Sequence, residues 1–312
     1  MRQRLVANVD AFHQVNGAED AAIARLSRDK VIDIAIDLKG HTHGARLGIF
    51  ANRAAPVQVT YLGYPGTLGT DFIDYLIADE IVVPAEYQRF YSERIAYLPH
   101  SYQPNDDRRE ISDRVFTRAE LGLPEDGFVF ACFNNNYKIT AAEYDIWARL
   151  LRQVEGSVLW LLKDNEWAAE NLRREILARG ISADRLVFAD RMHPADHLAR
   201  HVHADLFLDT FMVNAHTTAS DALWAGLPVL TKLGRSFVAR VAGSLLHAVG
   251  LPELVTESPA DYEQRALGIA TNPALAAALK QKLAANRGSA PLFDAQRYTR
   301  DIEALYERIN IR

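Results

Sequence analysis

Short apolar runs rich in β-branched residues alternate with longer stretches of helical periodicity, and this alternation restricts the fold more than any other feature of the chain. The run Val31-Ile32-Asp33-Ile34-Ala35-Ile36-Asp37-Leu38 reads as a strand. Further strands are expected at Val57–Leu62, Tyr75–Ala78, Arg94–Leu98, Phe128–Phe133, Val158–Leu162, Arg185–Phe188, Leu206–Leu208 and Val229–Leu230. Such near-continuous apolar runs suit strands covered on both faces, as in a parallel sheet. Helical patterns fall between them. Tyr144, Trp147, Ala148, Leu150 and Leu151 recur at close to a 3.6 period behind a cap at Thr140. Trp167–Gly180 and Thr217–Gly226 each stop at a glycine, and Ala274–Asn286 and Tyr298–Ile309 are further helices. Strand, helix, strand in series predicts βαβ units and an open α/β sheet.

The chain has 312 residues, a length that corresponds to roughly two domains. Gln103–Asp126 contains a polar, turn-rich stretch and marks the boundary between them. The block from about 115 to 285 reads as a complete nucleotide-binding-type α/β domain, whereas the first block has too few strands and reads as the back half of one. Apolar residues at 49% and charged residues at 24% exclude a disordered or low-complexity chain. A net charge of −5 argues against a general nucleic-acid binder. The single cysteine, Cys132, excludes an internal disulfide framework and argues against a cysteine-based zinc site, and a reducing cytoplasm is the expected compartment. No apolar run approaches the roughly 20 residues that cross a bilayer.

Five loops at strand ends carry the chemistry-bearing residues. Asn214-Ala215-His216-Thr217-Thr218-Ala219-Ser220-Asp221 follows a strand and opens a helix, where unpaired backbone N–H groups attract phosphate. Ordinary capping by Thr217 or Thr218 accounts for the same residues. Phe133-Asn134-Asn135-Asn136-Tyr137-Lys138 offers the Lys138 ammonium to a diphosphate, or is a solvated turn. Tyr61-Leu62-Gly63-Tyr64-Pro65-Gly66 permits close approach to backbone, or simply turns the chain. Gly40-His41-Thr42-His43-Gly44 supplies a candidate acid or base without a third metal ligand, or is an exposed loop. Arg191-Met192-His193-Pro194-Ala195-Asp196-His197 packs on a base ring or caps a helix starting near His197. No GxSxG or HExxH motif and no paired-carboxylate signature is present.

Taken in order, Lys39–Arg46, Tyr61–Thr67, Phe133–Ile139, Ser157–Leu162, Asn214–Asp221 and Leu223–Gly226, extended by Pro291-Leu292-Phe293 and Tyr298, resemble the catalytic region of the O-linked N-acetylglucosamine transferases. That group includes SPINDLY-like O-fucosyltransferases and bacterial protein glucosyltransferases. The resemblance implies a GT-B fold: two Rossmann-like domains with the donor in the cleft between them. Residues 1–112 would be a partial N-terminal catalytic half, and 113–312 a nucleotide-sugar-binding domain with a closing C-terminal helix. The implied reaction is an inverting, metal-independent transfer from UDP-GlcNAc to protein Ser/Thr hydroxyls. No cofactor, metal, nucleic acid or membrane is implied, and tetratricopeptide repeats are expected upstream. Lys138 would contact the diphosphate, with His216, Thr217 and Thr218 lining it, Asp221 on the ribose, and Met192 and His197 at the base. Gly63, Tyr64 and Pro65 would approach the sugar and phosphates, Asn135 replaces a glutamine of many animal members, and His41 is expected beside the reacting centre. Two other outcomes fit the same resemblance: a nucleotide-sugar-binding fragment without turnover, and a related glucosyl- or fucosyltransferase.

Overall fold

The computed structural model describes residues 2–310. The chain divides into two compact units, Met1–Ile77 with Arg89–Ala96 and Tyr306–Arg312, and Ala78–Gln88 with Tyr97–Leu305.

The first unit begins with helices α1 (Arg2–Val6) and α2 (Asp20–Asp29) and contains a short helix, α3 (Gly48–Ala51). Its sheet has the order β1 (Ile34–Asp37), β2 (Val57–Thr60), β3 (Tyr75–Ala78), β4 (Arg94–Tyr97), with β1, β2 and β3 parallel. Strand β1 starts three residues later than the apolar run predicts. The turn that ends α2 consumes the first residues of that run: Val31 N–H donates to Arg28 O at 2.8 Å, with φ at +55°, and Ile32 N–H donates to Ser27 O. Interior strand β2 is buried throughout, whereas edge strand β1 is only half-buried over most of its length. Hydrophobicity therefore marks the strands, and position in the sheet decides how completely each is covered.

The second unit has a six-stranded parallel sheet in which each strand is followed by helix. Its elements are β5 (Val129–Cys132), α4 (Ala141–Gln153), β6 (Val158–Leu162), α5 (Glu166–Ala178), β7 (Leu186–Ala189), α6 (Pro194–Arg200), β8 (Leu206–Leu208), α7 (Thr217–Trp224), β9 (Val229–Lys232), α8 (Val241–Ala248) and β10 (Val255–Thr256). Helices α9 (Pro259–Ala270), α10 (Pro273–Arg287) and α11 (Ala295–Asn310) complete it, the end of α11 belonging to the first unit. The strand order β10-β9-β8-β5-β6-β7 is the doubly wound order of dinucleotide-binding sheets. The order reverses between β5 and β8, so the loops after these two strands flank a crevice at their carboxyl ends. Strands β5, β6 and β8 are buried at every position, as their unbroken apolar sequences require. Thr140 caps α4 through a reciprocal capping box with Glu143, and Asn165 caps α5 by accepting from Ala168 N–H at 2.8 Å. No helix among the described residues is long and apolar enough to cross a membrane.

Two loops of the first unit interlock through glycine. Gly40 has φ at +54°, and a side chain there would meet Tyr64 Cβ at 2.3 Å. A Cβ on Gly63 would lie 2.0 Å from the carbonyl oxygen of Leu38, a backbone atom that cannot swing away. Gly63→Ala is expected to destabilise the first unit by about 1–3 kcal/mol, the usual cost of overpacking. Faster amide hydrogen exchange in β1 and β2 would register the loss, and unchanged protection would show that the loop yields without cost.

Candidate functional site

In the second unit the crevice between the β5 and β8 loops is built around one buried carboxylate. Asp209 ends β8, is fully buried, and accepts from four donors. Oδ1 takes the N–H groups of Thr210 at 2.8 Å and Ala215 at 2.6 Å, with Asn134 Nδ2 at 3.3 Å, while Oδ2 takes Thr231 Oγ1 at 2.7 Å. The bonds to Thr210 and Ala215 tie the two ends of the 210–215 loop to one carboxyl group. Thr210 Oγ1 donates to Val213 O at 2.6 Å, and Asn214 Nδ2 donates to Thr210 O at 2.8 Å. Burial pushes the Asp209 carboxyl up to about 7, against the hydrogen bonds that favour its charged form.

This loop delivers the chain into α7 with an open amino end. His216 occupies the N-cap position with φ −103° and ψ −92°, and no side chain caps the helix. Neither Thr217 nor Thr218 does so, which removes plain capping as the account of this segment. Thr217 is exposed at the first helical position, and Thr218 Oγ1 donates to Asn134 Oδ1 at 2.5 Å. The N–H groups of Thr217 and Thr218 and the positive end of the helix dipole thus remain available to an anion, whereas Ala219 N–H already donates to His216 O at 3.1 Å. Lys138, at the end of a single 3-10 turn (Asn136–Lys138), places Nζ 2.9 Å from Asn214 O, just before the helix. No carboxylate pairs with it among the described residues. His216 Nε2 donates to Val238 O at 3.3 Å, and burial first, then Lys138, pushes this ring down to about 4.

The other expected residues lie around this centre. Asp221, in the second turn of α7, binds Arg109 through Oδ1, and Arg109 O accepts from Trp224 Nε1 at 3.1 Å. Asn135 bonds Tyr137 and Arg191, so the β5 loop touches the loop that carries Met192. Met192 is half-buried. His197 does not start a helix as expected. It lies within α6, whose N-cap is His193 with Pro194 at the first helical position, the place where a missing N–H costs nothing. Its ring contacts Phe133 at 5.2 Å and His201 at 4.7 Å.

His41, Gly63, Tyr64 and Pro65 belong to the first unit and cluster there. His41 Nε2 donates to Leu68 O at 3.0 Å, and its ring meets that of Tyr64 edge-on at 5.2 Å. Asp37, ending β1, accepts from Lys39 N–H at 3.0 Å and Gly40 N–H at 2.7 Å and so holds the histidine loop. Buried Glu93 holds the neighbouring loop, accepting from Thr67 Oγ1 and Leu68 N–H at 2.7 Å each.

Asp209, Asn134, Asn214, Arg109 and Arg200 are central to these clusters and were not among the expected site residues. One signal was readable: an aspartate at the carboxyl end of an apolar strand, where hydrogen-bonding loops begin. The pairing of Arg109 with Asp221 spans 112 positions and leaves no local trace. A hollow of about 480 Å³ lined by Arg118, Phe128, Asp205 and Lys280 lies at the amino ends of β5 and β8, away from these loops.

A doubly wound parallel sheet of this order is the architecture of a GT-B glycosyltransferase domain, and solved GT-B structures superpose on this chain. A mutant O-GlcNAc transferase of Thermobaculum terrenum matches 99% of the chain, and 58% of its own, at a TM-score of 0.88 and 31% identity. Anabaena HepE, solved with UDP and glucose, shares the fold at a TM-score of 0.62 and 14% identity over 90% of this chain and 81% of its own. The model of glycosyl transferase family 41 matches residues 1–115 and 107–302, and the chain belongs to that family. It is 40% identical over 311 residues to the Arabidopsis thaliana protein named probable UDP-N-acetylglucosamine–peptide N-acetylglucosaminyltransferase SEC, covering 98% of this chain and 32% of that protein. It is 31% identical to the SPINDLY protein of Oryza sativa subsp. japonica, covering 96% and 32%. The chain therefore spans about a third of the length of these relatives.

Two outcomes test the carboxylate's structural role. Asp209→Ala strands several buried donors and is expected to cost about 3 kcal/mol or more. Asp209→Asn retains an oxygen for the loop amides and can donate to Thr231. The folded carboxyl titrates near 7, above its ordinary 3.8, so its contribution to stability is complete below that lower value and is lost as pH rises to about 7. Urea unfolding at about pH 5 and about pH 8 should show the wild type losing roughly 2.5 kcal/mol relative to D209N across that window, about two pKa units at 1.36 kcal/mol each. Parallel pH dependence in the two proteins would contradict the assignment.

Proposed function

We propose that this chain carries the donor-binding and transfer region of an enzyme that moves N-acetylglucosamine from UDP-GlcNAc to serine or threonine hydroxyls of proteins. The observation that carries the reading is the open amino end of α7 with the Lys138 ammonium beside it, 2.9 Å from Asn214 O. In an inverting transfer the acceptor oxygen attacks the anomeric carbon as its bond to the diphosphate breaks. The chemistry then needs stabilisation of the negative charge that develops on the leaving group. Lys138, the Thr217 and Thr218 amides at the start of α7 and the exposed Thr217 hydroxyl supply a cation, a dipole and donors without a metal, while Thr218 lines the site with its own hydroxyl held by Asn134. His216 is held neutral by burial and can border the diphosphate without adding a second charge.

Within this reading Asp221 holds the ribose through the oxygen that Arg109 leaves unbonded, and Met192 and His197 border the base. The family resemblance assigns His41 and the Gly63-Tyr64-Pro65 loop to the sugar and the reacting centre. The names of the relatives support UDP-GlcNAc as donor and a peptide as acceptor. A cytoplasmic setting follows from the same reading.

Calorimetry with UDP and GDP tests the donor. Binding of UDP is expected, and binding of GDP alone would overturn the choice. Lys138→Ala should weaken UDP by about 1.5–3 kcal/mol, the range for a hydrogen bond to a charged group. Unchanged affinity would remove the lysine from the diphosphate. His41→Ala should lower the turnover of labelled donor into a peptide while leaving UDP affinity unaltered. A matching loss of UDP affinity would make His41 a binding group.

A further inference from the structure

Arg200, the last residue of α6, is 1% exposed yet has no carboxylate partner among the described residues. Two of its three nitrogens converge on one ring nitrogen. Nε donates to His197 Nδ1 at 3.0 Å and Nη2 approaches the same atom at 2.6 Å, while Nη1 donates to Asp190 O at 2.7 Å. The guanidinium also lies over the rings of Phe133 at 5.1 Å and Trp160 at 5.7 Å. A guanidinium has only donors to offer, so Nδ1 of His197 must be the acceptor and cannot carry a proton. The remaining ring nitrogen, Nε2, then holds the only N–H and has no protein partner among the described residues.

The surroundings act in the same direction. His201 Nδ1 donates to the carbonyl oxygen of His197 at 2.6 Å, which fixes the backbone beneath the ring. Desolvation is the first cause that pushes His197 down, to about 3, followed by His201, Arg200, Arg109 and Arg191, all of which resist a further positive charge. These groups come from α6 and the turn after it, the loop before α6, and the segment before β5.

We propose that Arg200 is a positioning residue that locks His197 as the neutral tautomer with its proton on Nε2, so that this edge of the crevice meets an uncharged pyrimidine base with a ring N–H donor and no cation. The base as occupant rests on the donor reading above. The lock itself is geometric. It separates two jobs within one crevice: charge is delivered to the diphosphate by Lys138, while the base is met by a neutral ring.

Nitrogen-detected NMR of the full chain reads the ring directly, with the His197 signals identified by their loss in His197→Gln. The wild type is expected to show bare Nδ1 and protonated Nε2, unchanged from about pH 5 to about pH 8. A proton on Nδ1, or titration near the ordinary value of about 6.5, overturns the proposal. Arg200→Met should mix the two tautomers and raise the pH at which His197 protonates, with burial still holding it below the ordinary value. Arg200→Lys, which keeps one donor, should restore part of the wild-type pattern. If Arg200→Met fails to fold, the wild-type spectrum alone decides. Saturating UDP should shift the His197 signals, and Arg200→Met should weaken UDP by up to about tenfold, the size of one neutral hydrogen bond. UDP that binds without moving His197 overturns the base contact. Absence of UDP binding instead sinks the donor reading and leaves the tautomer result standing.

Discussion

The crevice of the second unit depends on a carboxylate buried where solvent cannot help it. Among the described residues Asp209 has no cationic partner at hydrogen-bonding distance, and its oxygens are met by two backbone amides, an amide side chain and a hydroxyl. A buried group with that many obligations cannot move without stranding donors, which makes the 210–215 loop a rigid entry to α7. Rigidity is what an anion site at a helix end requires. Helix-start amides are open to an anion only if the preceding chain does not fold over them, and Asn214 and His216 are held back by Thr210 and Val238 respectively.

The same device recurs at other strand ends. Asp37 at the end of β1 gathers the amides of Lys39 and Gly40 and so orients the His41 loop. Asp79, just after β3, gathers those of Ile81, Val82 and Tyr102 together with Ser244 Oγ. In each case a short acidic side chain replaces the hydrogen bonds that the sheet ladder no longer supplies once the strand stops. The loops that follow can then be irregular and exposed without being loose.

This explains what could be read from the chain alone. Strands β5, β6 and β8 were legible because burial on both faces demands unbroken apolar residues, and α4 because Thr140 and Glu143 spell out its cap. Strand β10 was missed because two residues carry no period, and α8 because it is buried nearly all round and so lacks the polar face that betrays a helix. The Lys138 and His216-Thr217-Thr218 segments stood out through residue type and position after strands. Arg109 and Arg200 did not, because their partners are chosen by tertiary packing and an arginine in sequence looks like any solvated charge. His197 was read beside a helix start, but Pro194 sets that start, and the histidine becomes a ring held from inside α6.

Charge is distributed unevenly across this region, and burial is the reason. His197, His201 and His216 are all driven down by desolvation, to about 3, 4 and 4, so three imidazoles near the carboxyl ends of β5, β7 and β8 stay neutral across the physiological range. Arg200 and Arg109 are cationic, but the first is occupied by His197 and Asp190 and the second by Asp221. Among the described residues the Lys138 ammonium is held by a carbonyl alone, and a carbonyl can be exchanged for phosphate oxygens at little cost because both accept from the same N–H groups. On the proposed donor reading, a leaving diphosphate would meet the Lys138 ammonium and the α7 dipole, set against neutral rings that shape the crevice without competing for the anion.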